Sequence, residues 1–213
     1  MWKEHTPVAV KILKVGSMDP AEFLMEAGVM KKLRHPKLIQ LFAVCTDVMP
    51  YYIITEFMKY GNLLDFLIEN NRSIKLPQLV DSAAQVATGM AYLEAQKSIH
   101  RDLAARNVLV GDNNVCKVGD FGLSHILKKG EHGLVAGLLP EVSKFPFKWL
   151  APEAVFYNKF TVKSDVWYFS KLSTNPAILI SLFYSFSKVS SIIFHPHSIL
   201  FSMPCKVIWH SSH

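Results

Sequence analysis

The sequence predicts an α+β fold in two lobes, a small sheet with one helix followed by a mainly helical portion. Three observations carry this: a period-two alternation near the N-terminus, a helix-start signal soon after it, and a long apolar stripe at helical spacing beyond residue 76. Val8, Val10 and Ile12 alternate with Ala9, Lys11 and Leu13, the pattern of a strand that turns Lys11 to the same side as Ala9. Asp19, Pro20 and Glu22 then supply an N-cap, an N1 proline and an N3 carboxylate, so a helix is expected to run to about Leu33. Further strands are expected at residues 39–44 and 51–57, with Gly61 closing the small sheet. Past Pro77, residues Leu79, Ala83, Val86, Met90 and Leu93 fall at steps of four, three, four and three, which predicts a long amphipathic helix. Two short strands, 108–110 and 115–118, flank the turn Gly111-Asp112-Asn113-Asn114. The lobes join near residues 58–61, giving a first unit over 1–58 and a second over 59–169.

Composition excludes several classes. The net charge is +6, yet Lys and Arg are scattered among Asp and Glu through residue 165, with no basic run interleaved with aromatics, so nucleic acid is not an expected partner. Three cysteines at wide spacing, with no C-x-x-C pair, predict neither a disulfide framework nor a zinc site and fit a reducing, cytoplasmic setting. The start of the chain lacks the charged and apolar regions of a signal peptide. From Ser170 to His213 there is no Asp, Glu or Gly, and 11 of the 44 residues are Ser, so 170–213 reads as a tail foreign to what precedes it and without a stable fold. Its apolar stretch at 176–187 is too short to cross a bilayer, and Lys188, His195, Pro196 and His197 interrupt the longer run, so no membrane anchor is expected.

Two charged residues stand out on physical grounds. On the helix after Asp19, residues Phe23, Ala27 and Met30 form the apolar stripe, and Glu26 lies on its flank with the carboxylate turned inward. A buried carboxylate is costly unless paired, and Lys11, on the inner side of its strand, is the natural partner.

The chemistry-bearing strings are His100-Arg101-Asp102-Leu103-Ala104-Ala105-Arg106-Asn107, then Asp120-Phe121-Gly122, then Ala151-Pro152-Glu153. Together with the Val8-Ala9-Val10-Lys11 strand they resemble, in order, the catalytic loop, metal-binding motif, loop-ending motif and lysine strand of protein kinases. A lone Asp in a loop is ordinarily a turn or cap residue, and Asp112 is read that way; Asp102 and Asp120 are not. Phosphoryl transfer asks little covalent work of a protein: it needs ATP and the acceptor hydroxyl aligned and the spread negative charge neutralised. The resemblance therefore implies a bilobal protein-kinase-like fold, here incomplete, with Asp102 taking or orienting the hydroxyl proton. It implies Arg106 as a further catalytic-loop residue, Asn107 and Asp120 holding Mg2+ (or Mn2+) against the phosphates of ATP, and the Lys11–Glu26 pair positioning the first two phosphates. Thr55 would stand as gatekeeper beside the adenine pocket, Glu56 and Met58 would offer backbone hydrogen bonds to adenine, and Ala9 and Leu109 would sandwich the base. Met30, Leu41, His100 and Phe121 would stack as a regulatory column anchored by Asp165.

Tyrosine as acceptor is suggested twice. Serine/threonine kinases usually place a lysine two residues after the catalytic aspartate, whereas here that position is Ala104 and an arginine, Arg106, stands four residues after it, as in tyrosine kinases. Phe145-Pro146-Phe147-Lys148-Trp149 likewise resembles the platform on which a substrate tyrosine ring lies. The likeness is to Src-related, non-receptor tyrosine kinases and secondarily to Abl-like ones, over residues 7–169. Implied partners are ATP and proteins that present tyrosine acceptors.

Departures from the family pattern are expected to matter. Met1 falls after the position of the glycine-rich loop and first strand. No tyrosine occurs in residues 123–150, and His132 stands where the family usually has its autophosphorylated one, so phosphate cannot pair there with Arg101 and Arg106. Extra residues fall around 138–142, and the resemblance ends inside a helix expected to start near Ser164. Gly28 within the first helix costs about 1 kcal/mol relative to Ala. An apolar face left uncovered in the second lobe would invite capture by a chaperone. The alternative to an active enzyme is thus a catalytically impaired kinase-like fragment acting through binding, or an unstable product.

Overall fold

The computed structural model describes residues 5–14, 16, 18–70, 74–128, 131–135 and 150–172. The platform at 145–149, the extra residues at 138–142 and the tail beyond 172 lie outside the described residues. Strand β1 (Val8–Ile12) pairs antiparallel with β3 (Tyr52–Glu56), which pairs antiparallel with β2 (Leu41–Cys45), so the sheet order is β1-β3-β2. On β1, Ala9 stands opposite Thr55 and Lys11 opposite Ile53, and Leu13, next on that face, is fully buried with Ile53, Phe23 and Ala27. The alternation thus points Lys11 at the helix that follows, while Val10 and Ile12 face outward and are exposed.

Helix α1 (Pro20–Lys32) begins where its capping residues predict: the Asp19 carboxylate accepts from Ala21 N at 2.8 Å, and Pro20 fills the first turn. Residues 39 and 40 do not join β2, contrary to expectation. Gln40 stays beside β3, its carbonyl accepting from Glu56 N at 3.0 Å, but Ile39 is diverted to the other lobe, where Ile39 N donates to Val118 O at 2.8 Å and Val118 N donates to Lys37 O at 2.9 Å. The connection at 58–61 is fastened similarly, with Tyr60 N to Val110 O at 3.0 Å and Val110 N to Gly61 O at 2.8 Å; Gly61 sits at φ +68°, where a side chain is strained. These two zips join the lobes along the strands that carry the candidate site.

The second lobe is built on α2 (Leu63–Glu69), α3 (Leu76–Ala95), the pair β4 (Ser98–Ile99) with β7 (His125–Ile126), and the hairpin β5 (Val108–Val110) with β6 (Cys116–Val118). Beyond it, β8 (Leu134–Val135) pairs with β9 (Lys159–Phe160), and α4 (Pro152–Tyr157) and α5 (Val162–Leu172) complete the described part. Along α3 the stripe is buried from Val86 through Ala87, Met90 and Leu93, whereas Leu79 and Ala83 are half-buried. Leu79 instead lines a cavity against Leu63, Phe66 and Leu67 of α2. Helix α5 begins at Val162, ahead of the expected Ser164, because Thr161 caps it. The Ser164 hydroxyl accepts from Thr161 N at 2.8 Å and Thr161 Oγ1 accepts from Ser164 N at 3.3 Å, a reciprocal cap that makes Ser164 the third residue of the helix. One hydrophobic core runs from Met30 and Leu38 through α3, β5 and β6 to Tyr168 and Phe169. Among the described residues no helix is long and apolar enough to cross a membrane.

Two helical glycines have opposite surroundings. A methyl group on Gly28 would meet nothing within 4 Å, whereas one on Gly89 would lie 2.8 Å from Lys37 O, in the backbone that zips onto β6. Gly28→Ala is therefore expected to stabilise the chain by about 0.5–1 kcal/mol through helix propensity alone. Gly89→Ala would gain the same propensity but force backbone apart at a cost of about 1–3 kcal/mol, so it is expected to destabilise. Urea unfolding of the two variants checks the opposite signs.

Candidate active site

The ion pair, the turn 120–122 and the loop 100–107 are drawn together from among the residues singled out from the sequence. In the first lobe Lys11 Nζ donates to Glu26 Oε2 at 2.5 Å. Glu26 is buried and Lys11 half-exposed, an asymmetry that decides the electrostatics. Burial pushes the Glu26 carboxyl above its ordinary value; Lys11 pulls it down by charge and hydrogen bond, and Asp120 adds to the rise. Because solvent screens the lysine, its attraction does not outweigh the loss of water around the carboxylate. A methyl group on Gly122 would lie 3.3 Å from Asp120 Oδ1 and 3.7 Å from Glu26 Oε2, which brings the Asp120-Phe121-Gly122 turn up against the ion pair.

The second lobe supplies the loop 100–107. Asn107 Nδ2 donates to Asp102 O at 2.7 Å and to Asp102 Oδ2 at 2.9 Å, while Arg106 donates to Asp102 Oδ1 at 2.5 Å. Asp102 is thus aimed by two neighbours on a single short turn, Ala105–Asn107. Gly119 N donates to Asn107 O at 2.8 Å, placing Asp120 directly beyond the asparagine. Asp120 is exposed and sits at φ +55°. Backbone held in that region by a non-glycine residue is strained, and strain of this kind gathers at functional sites.

Beneath the loop, Asp165 of α5 accepts from His100 N at 2.7 Å and from Arg101 N at 2.9 Å. His100 Nε2 lies 3.0 Å from Gly119 O, and its ring packs on Phe121 with centroids 5.5 Å apart. Met30, His100 and Phe121 are buried and Leu41 is packed against the same core, so the expected column and its aspartate anchor come together.

The remaining expected residues lie on β1, β3, β5 and the connection after β3. Ala9 and Thr55 face each other across β1 and β3, and Leu109, on β5, is bridged to Asn62; Ala9, Thr55 and Leu109 are all half-buried. The Glu56 carboxylate is engaged by Gln40 N at 2.8 Å and by Lys117 Nζ at 2.6 Å. Met58 is buried against Gly111, and its carbonyl accepts from Gly61 N at 3.1 Å. The two arginines expected to meet a phosphate have internal partners. Arg101 lies over the Phe160 ring at 4.4 Å and donates to Leu123 O at 3.3 Å, and Arg106 holds Asp102.

Sequence reasoning missed Lys117 and Tyr168. Cys116 and Val118 are buried, so period two alone turns Lys117 to the opposite face, where it meets Glu56. Tyr168 stands three residues after Asp165 and so lies on the same helix face.

Comparison with known proteins agrees with this geometry. The family model for protein tyrosine and serine/threonine kinase matches residues 1–175, slightly more than the span that the motifs alone mark. The chain is 60% identical over 174 residues to tyrosine-protein kinase SRK2 of Spongilla lacustris, an alignment covering 82% of this chain and 47% of that protein. It is 54% identical over 173 residues to SRK3 of the same sponge, covering 81% and 50%, and 57% identical over 173 residues to the human tyrosine-protein kinase FRK, covering 81% and 34%. The chain belongs to the protein tyrosine and serine/threonine kinase family. It spans half or less of the length of these relatives.

Proposed function

We propose that the protein transfers the terminal phosphate of ATP to tyrosine hydroxyls of protein substrates, as a non-receptor tyrosine kinase. The observation that carries this reading is the hydrogen-bonded group of Asp102, Arg106 and Asn107, tied through Gly119 to the 120–122 turn that lies against Glu26 of the Lys11–Glu26 pair. Asp102 receives the proton as the tyrosine oxygen attacks, its carboxylate oriented by Asn107, and Arg106 holds it before the acceptor binds. Lys11, steadied by Glu26, binds the first two phosphates. Ala9 and Leu109 enclose the adenine, the backbone of Glu56 and Met58 holds its edge, and Thr55 sets the depth of the pocket.

Among the described residues no three His, Cys, Asp or Glu side chains are grouped to hold a metal. The oxygens of Asn107 and Asp120 nonetheless suit magnesium or manganese, hard cations that take one or two protein oxygens and keep water and phosphate for the rest. With Asn107 Nδ2 committed to Asp102, the amide's Oδ1 is left as its acceptor. When bound there, the ion would neutralise phosphate charge. The name tyrosine-protein kinase borne by the three relatives supports the choice of acceptor, and Ala104 and Arg106 fit it. Free Cys45 and Cys116 accord with a cytoplasmic location.

Incubation of the purified chain with magnesium, ATP and poly(Glu,Tyr) is expected to yield phosphotyrosine, and excess EDTA to reduce it to background. Transfer to a serine-bearing peptide supplied in parallel, with none to poly(Glu,Tyr), would overturn the choice of acceptor. A melting temperature raised by magnesium and ATP without any transfer would favour a nucleotide-binding fragment instead.

A further inference from the structure

Tyr168 lies under the catalytic loop with no role in the chemistry described so far. Its side chain is 1% exposed, and its hydroxyl has no hydrogen-bond partner among the described residues. A phenol so deeply buried ordinarily finds one. It stands on α5 one turn beyond Asp165, the residue that ties down the His100 and Arg101 amides, and it shares a core with Ile99 and Leu103 on either side of those residues. The charges acting on its oxygen are those of Asp102 and Asp165, opposed by Arg101 and Arg106. Burial foremost, and then the two carboxylates, push the phenol above its ordinary value, so it stays a neutral O–H donor at any working pH.

We propose that Tyr168 is a positioning residue for the catalytic loop, a reserve donor whose hydroxyl engages the loop around Asp102 when Arg106 releases that carboxylate to a substrate hydroxyl. Asp102 is held by Arg106 and Asn107, and Arg106 is the exposed partner, so the arginine is the bond that opens to admit substrate. A donor already buried beneath the loop would then hold it while the aspartate works. Catalytic hydrogen bonds that are long in a free enzyme commonly tighten in the substrate complex. An idle hydroxyl would instead be a pure folding cost, since a buried donor without an acceptor destabilises and its removal relieves the protein.

This proposal rests on the kinase reading, so its test has one arm that needs no turnover. Tyr168→Phe removes a single oxygen and keeps the ring. In the full chain with magnesium, an ATP analogue and saturating poly(Glu,Tyr), it is expected to speed amide hydrogen exchange in residues 100–107 about tenfold and to leave the rest unchanged. In the transfer assay kcat should fall about tenfold, the worth of one hydrogen bond to a charged group, with KM for ATP unchanged and Tm not lowered. Unchanged exchange in the loop overturns the proposal, as does faster exchange with an undiminished kcat. Should the wild type transfer no phosphate, the kinase reading fails, while the exchange comparison still decides whether the hydroxyl holds the loop.

Discussion

Asp102→Asn should lower phosphate transfer about 10³-fold, within the 10²–10⁴ that a positioned general base contributes, while leaving the fold and nucleotide binding intact. The amide has the carboxylate's shape but a single acceptor oxygen, so it can keep one of the two side-chain bonds from Arg106 and Asn107, and Asn107 also retains its bond to the Asp102 carbonyl. What it lacks is an oxygen basic enough to take the tyrosine proton. The cost to the fold is small because Arg106 is 42% exposed, and an ion pair open to water is worth about 0–1 kcal/mol. In a chain of this size that corresponds to a Tm change of about 2–4 °C at most. The magnesium- and ATP-dependent rise in Tm should persist, because Lys11, Asn107 and Asp120 are untouched. Equal transfer by the two proteins would remove Asp102 from the chemistry. Loss of the thermal shift would mean that the variant had disturbed the nucleotide site rather than the proton transfer.

The site is legible in the sequence wherever its residues are fixed by short-range rules. Lys11 and Glu26 can be paired from residue order alone, because a period of two on a strand and a 3.6-residue period on a helix each point one side chain inward. Two inward charges must meet or be paid for in desolvation. Asp102 and Asn107 sit five residues apart on one tight turn, so their contact is local as well. Illegible are the features set by how the lobes meet. Nothing in Ile39 separates a strand continuing in its own sheet from one peeling away to β6, since either partner satisfies the same backbone groups. Helix α2 does carry a readable start signal: Asn62 caps Asp65 N at 2.9 Å and donates back to the Asp65 carboxylate at 2.7 Å, a reciprocal cap spelled Asn-x-x-Asp. The lining of the α2–α3 cavity by Leu79 has no such signal, because periodicity gives the direction of a side chain and not what stands opposite it.

Removing the Asp165 side chain should have the largest effect on stability, and the effect should depend on pH in a defined direction. Asp165 is fully enclosed and accepts the His100 and Arg101 amides with its two oxygens. Arg101 is held at φ +71°, a conformation that an L side chain resists, so these bonds also oppose local strain. In Asp165→Ala both amides lose their acceptor; each such buried group costs about 1–3 kcal/mol, and a loss of roughly 2–5 kcal/mol is expected at pH 5. Burial pushes the Asp165 carboxyl from 3.8 to about 6, against the pull of His100, the two amides and Arg101. The folded protein therefore binds this proton more tightly than the unfolded chain does. Its contribution is fully present below about pH 4 and is lost as pH rises through about 6, a difference of roughly 3 kcal/mol for two pH units. Above pH 6 the wild type bears the cost of a buried charge that the alanine variant does not have, so the gap between the two proteins should narrow from pH 5 to pH 8. Urea unfolding at both values measures it. A gap that stays constant or widens with pH would show that Asp165 is ionised at little cost in the folded protein, and that its two amide bonds, rather than burial, govern the carboxylate.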